Sequence, residues 1–204
     1  MRVSKEKAGE NRVALLQAAS RLFRQRGIEG VGVADIAREA GLTHGALYAH
    51  FKSKDELAAE AFSYGFEGNM ADTRAWAAAR YPSFQDHFAG LVSTSMRDRM
   101  DSGCPLAASA SEIARQGAAV SASFTRAVEE MTAMLERSLA DGLPASEKRR
   151  LALAAVAAEI GALALSRAVA KTDAALSDEV LRAVRETIGA AHNDALAKAT
   201  PDNI

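Results

Sequence analysis

The stretch GLTHGALYAHFKSKDEL, Gly41 to Leu57, gathers much of the chemical capacity of the chain: His44, Tyr48, His50, Lys52 and Lys54. Two histidines can ligate a metal or exchange a proton, and a tyrosine with two lysines can meet an anion. The metal option fails on spacing. Six residues turn about 600° on a helix of 3.6 residues per turn, so the two imidazoles lie on different faces, and neither has a second ligand at i+4. Catalysis lacks its parts as well. No nucleophile–base pair, phosphate-cradling loop or zinc spacing stands out in the 204 residues, so no enzyme activity, cofactor or metal is expected. What is left is a surface that meets negative charge, against the plainer option that Lys52 and Lys54 pair with Asp55 and Glu56 in solvent.

Helices must position these side chains. Alanine is abundant, only four prolines occur, and the residues that mark strands are sparse, which leads to an all-α fold. The net charge of −1 gives no general attraction to nucleic acid, and the first sixty residues carry ten Lys+Arg against eight Asp+Glu. Any nucleic-acid binding must therefore rest on where the cations sit. The single cysteine, Cys104, excludes an internal disulfide, and no charged-then-apolar leader opens the sequence; a cytoplasmic protein outside the membrane is the simplest expectation.

The periodicity of Leu15, Ala19, Leu22 and Phe23 predicts a first helix, capped at Asn11 and closed at Gly27. VADIAREAG gives a short second helix stopping at Gly41, and a third starts at Thr43 and buries Leu47. A three-to-four-residue turn containing glycine joins them, which is the helix-turn-helix signature, over residues 32–51. Ser53 and Glu56 form a capping box that opens a fourth helix towards Pro82, with a bend expected near Gly65 and Gly68. A fifth runs from Phe84 to near DSG, and Pro105 opens a sixth. A seventh ends at Gly142, and two long helices follow, each beginning with serine, separated by KTDAAL. About nine helices result.

From Asn11 to Phe62 the sequence resembles the DNA-binding domain of the TetR/AcrR transcriptional regulators. The resemblance is carried by Phe23 and Gly27, Ile36 and Ala37, Ala40 and Gly41, Leu47 and Tyr48, and HFKSKDEL, all at matching spacing. It departs at Gly32, where the family carries Ser or Thr, and at His44, a position that varies in the family. The resemblance implies a helix-turn-helix DNA-binding domain in residues 1–53 and a helical ligand-binding and dimerisation domain in 54–204.

Major-groove reading needs short side chains and an open helix start. Thr43, His44, Gly45 and Ala46 are the candidates for base contacts, and Tyr48, His50 and Lys54 for the phosphate backbone. Tyr48 has an alternative, packing between the first and third helices. The last two helices are rich in alanine and glycine and suit close approach to a second copy; a dimer reads a palindrome where one short helix reads too few bases. The plainer option is that they close a monomeric core.

The family encloses a small-molecule pocket in its middle helices, where Phe66, Met70, Trp76, Phe88, Met96, Met100, Cys104 and Phe124 are the candidate lining for an apolar or aromatic effector, weighed against plain core. Cys104, ahead of Pro105 at a helix start, is either a redox or electrophile sensor or a buried structural thiol. The leading expectation is a homodimeric repressor on double-stranded operator DNA, released by a small molecule; a helical adaptor without DNA binding is the alternative.

Overall fold

The computed structural model describes residues 4–80 and 83–199. Ten helices are present among them: α1 (Lys5–Arg26), α2 (Val33–Glu39), α3 (His44–Tyr48), α4 (Lys54–Arg80), α5 (Phe84–Leu91), α6 (Thr94–Asp98), α7 (Pro105–Ile113), α8 (Ala118–Ser138), α9 (Ala145–Val169) and α10 (Ala174–Ala199). The expected stop of the fourth helix at Pro82 lies outside the described residues.

The first helix begins earlier than Asn11. Ser4 is its cap, accepting a hydrogen bond from the Lys7 N–H at 3.1 Å, and Asn11 falls inside the helix. Gly27 ends it at φ +77°, a left-handed conformation in which a side chain is strained. Gly32 caps α2 with its backbone alone, and Gly41 takes φ +68° in the turn to α3.

Ser53 caps α4 by accepting from the Glu56 N–H at 3.0 Å, but the return bond differs from a capping box: Glu56 accepts from the Lys52 N–H. The helix is unbroken through Gly65 and Gly68. A Cβ at Gly65 would lie 2.1 Å from Ser20 Oγ, so glycine there serves the close approach of α1 and α4.

The expected fifth helix is two. Ser83 and Asp86 form a reciprocal capping box at the start of α5, and the chain leaves helical geometry at Val92. Ser93 satisfies the break from both sides, accepting from Met96 N–H at 3.1 Å and donating to Gly90 O at 2.9 Å. The seventh expected helix ends at Ser138, four residues short of Gly142. Neither serine read as a start signal for the long final helices is a cap. Pro144 precedes α9, and Asp173 accepts from the Leu176 N–H at 2.9 Å at the start of α10. Ser177 is instead buried and exchanges hydrogen bonds with Ser166 at 2.7–3.0 Å, fixing the register of α9 on α10.

The described helices divide into two compact units, Met1–Ala71 with Met100–Ala127, and Asp72–Arg99 with Val128–Ile204. In the first, Leu15, Leu22, Ile36, Leu47, Phe51 and Leu57 form a buried core that Ile113 of α7 and Val120 of α8 complete. In the second, α9 and α10 pack along their lengths, and α6 is held by Arg97, which donates to Ser177 Oγ and Asp178, and by Arg167, which donates to the carbonyls of Met96 and Arg97. Among the described residues α9 alone is long and apolar enough to cross a membrane by length and composition; Leu151, Ala155, Val156 and Leu163 bury one of its faces in this unit.

Candidate nucleic-acid interface

The recognition helix is short and depends on its neighbours. Helix α3 is five residues long, and Leu47, fully buried, anchors it in the core of the first unit. Phe51 follows, also buried, with the Arg12 guanidinium 5.1 Å above its ring and paired to Glu60 of α4. Arg12 therefore ties α1, the end of the motif and α4 together. Nothing in the sequence marks it, because its partners are 39 and 48 residues away.

Thr43 caps α3 by accepting from the Ala46 N–H at 3.2 Å. Thr43, His44 and Gly45 are exposed and Ala46 is half-buried, so the first turn of the helix faces solvent. Open space surrounds Gly45: among the described residues nothing lies within 4 Å of the place a Cβ would occupy. Tyr48 is 48% exposed, with its ring edge-on to His44 at 5.1 Å; it does not pack between the first and third helices. His50 is half-buried beside the Phe51 ring at 6.4 Å, and Lys54 is half-buried in the first turn of α4. The arrangement presents the threonine-capped, solvent-facing start of a helix, small side chains, two aromatic polar tips and a lysine, which suits base edges flanked by phosphates. Among the described residues no group of three His, Cys, Asp or Glu side chains is placed to hold a metal ion.

The eight candidate ligand-lining residues fall in both units. Phe66, Met70, Met100, Cys104 and Phe124 belong to the first, and Trp76, Phe88 and Met96 to the second. Phe66, Met70, Phe88, Met96 and Cys104 are buried, Trp76 and Phe124 are half-buried, and Met100 is 44% exposed. Phe124 lies against Phe62 at 5.6 Å, and Trp76 against His87 at 5.7 Å. Phe88 stacks on Phe84 at 6.0 Å, whose other neighbour is His192 at 4.9 Å.

Cys104 has no cation beside it in sequence, but the fold supplies one. Arg24 of α1 donates to Gly103 O at 3.3 Å; burial lowers its pKa, while the charges of Asp101 and Cys104 oppose that shift.

A buried helical core carrying an exposed, capped second helix after a tight glycine turn has the architecture of a helix-turn-helix domain. Family comparison agrees: residues 15–61 match the bacterial regulatory proteins of the tetR family, and residues 82–186, more than half of the chain, match the LmrA/YxaF-like transcriptional regulator C-terminal domain. The chain belongs to the TetR family of transcriptional regulators, in the branch with an LmrA/YxaF-like C-terminal domain. It is 37% identical over 81 residues to the HTH-type transcriptional regulator AcrR of Shigella flexneri, covering 40% of this chain and 37% of that one. To the HTH-type transcriptional repressor KstR2 of Mycolicibacterium smegmatis it is 38% identical over 72 residues, 35% of this chain and 31% of that one. The matched segments thus span about a third of these relatives' length. The fold is shared with a TetR-family regulator from Cytophaga hutchinsonii, with a TM-score of 0.73 at 22% identity over 93% of this chain and 98% of that one.

Proposed function

We propose that the protein is a cytoplasmic, homodimeric repressor that binds a palindromic operator and leaves it when a small apolar or aromatic molecule binds. The observation that carries the reading is the start of α3: a threonine-capped turn with His44, Gly45 and Tyr48 in solvent, held from beneath by Leu47. Residues 1–53 read the DNA in this account, and residues 54–204 bind the effector and the second copy. Thr43, His44, Gly45 and Ala46 face bases, and Tyr48, His50 and Lys54 face phosphates. No catalytic role is assigned.

The second copy is supported by the outer face of α9. Leu153, Ala157, Gly161 and Leu165 recur every four residues and all are exposed, Leu165 at 53%; Leu176 of α10 is 42% exposed. An effector that binds a DNA-incompetent state better shifts the population, and a coupling of about 1–3 kcal/mol lowers operator affinity roughly 5- to 150-fold. The test is selection from a random duplex pool with purified protein. Enrichment of a palindrome with half-sites about one helical turn apart is expected; no enrichment sinks the reading.

A further inference from the structure

The joint between α1 and α2 is held from far along the chain. Glu112, at the end of α7, turns its carboxylate onto the loop after Gly27: one oxygen accepts from the Ile28 N–H at 2.9 Å and the other from the Glu29 N–H at 2.8 Å. Gly27 makes room for it, since a Cβ there would lie 3.0 Å from the carboxylate, and Gln116 reaches the side chain of Glu29 at 3.4 Å. Ile113, the next residue along, is buried in the same core as Ile28 and Val31, so the carboxylate stands on a fixed base. All of these residues belong to the first unit.

This matters because α2 does not hold its own start. It is seven residues long and Gly32 offers no side chain to cap it. The geometry points to Glu112 as a positioning residue for DNA reading: by clamping two consecutive backbone N–H groups it fixes the angle at which α2 leaves α1, and with it the presentation of α3. Without the clamp the joint samples more conformations, and ordering it on DNA subtracts from specific affinity.

The inference rests on the DNA-binding reading and is tested on the full chain with the duplex that the wild type selects. In Glu112→Gln the amide keeps the shape but replaces one acceptor oxygen with a donor facing an N–H. Specific affinity is expected to fall roughly tenfold, with affinity for an unrelated duplex unchanged. Hydrogen exchange should quicken at Ile28 and Glu29 while the amides of Ile36 and Leu47 keep their protection. Gly27→Ala, whose Cβ would press on the carboxylate at 3.0 Å and strain the backbone at φ +77°, should act in the same direction. Wild-type selection with unchanged specificity in Glu112→Gln overturns the inference alone. Loss of protection throughout the core along with DNA binding also overturns it, because the carboxylate is then only structural. A wild type that selects nothing removes the functional reading and this inference together.

Discussion

His44 and Lys54 have different duties in the proposed interface, and two substitutions separate them. A side chain that reads a base edge contributes about 1–3 kcal/mol of discrimination at one position. His44→Ala should therefore relax preference at one base pair per half-site and leave the salt dependence nearly unchanged. A lysine on phosphate contributes to all sequences alike, so Lys54→Ala should weaken binding across sequences and reduce the slope of log affinity against log salt by about 1 per contact. Titrations of a matched and a mismatched duplex at several salt concentrations measure both. An exchange of these two signatures would reverse the assignments. At this scale the candidate site was legible because its signals are local: Thr43 caps α3, Leu47 is buried and Tyr48 is exposed, all within six residues. Arg12 over Phe51 and Glu112 on the Ile28 amide were not legible. Their partners lie 39 and 84 residues away, and no period or motif encodes such a pairing.

Elements were read best where a short-range rule sets their ends. Gly27 and Gly41 take the positive φ that glycine makes cheap, and Pro105 opens α7. They were misread where a residue type had two uses. Ser177 looks like a cap but is buried against Ser166, and Gly65 looks like a weak point but gives α1 its clearance. The packing of α5 and α10 also has a pH dependence that sequence did not indicate. His87 and His192 have both ring nitrogens buried with no hydrogen-bond partner among the described residues, and burial lowers both pKa values below the ordinary 6.5, with Asp86 partly opposing this at His87. The unfolded chain then binds more protons than the folded one as pH falls through about 6.5. Stability is complete above that value and declines below it. The thermal midpoint should drop between about pH 7 and 5, and His192→Phe, which keeps a ring against Phe84, should flatten the curve. A variant with the same pH dependence as the wild type would show that His192 does not carry it.

For the whole molecule, the outer face of α9 poses a question that one chain does not answer. Leucines at positions 153 and 165 flank Ala157 and Gly161 on an exposed face, and a Cβ at Gly161 would meet nothing within 4 Å. Among the described residues, then, no contact calls for glycine there, although glycine lowers helix stability by roughly 1 kcal/mol against alanine. In the proposed dimer a second helix approaching closely supplies the missing reason, and two copies supply the two half-sites that a palindrome needs. Gly161→Glu separates the single chain from its assembly. In a monomer the new side chain extends into solvent, so helix content and the internal packing of each unit should be preserved. In a dimer it brings two carboxylates and their bulk into an apolar seam, where unpaired charge is costly. Sedimentation should show dimer for the wild type and monomer for the variant, and the variant should lose affinity for the palindrome while still binding DNA weakly through single heads. A variant that stays dimeric and selects the same palindrome would remove this face of α9 from the interface.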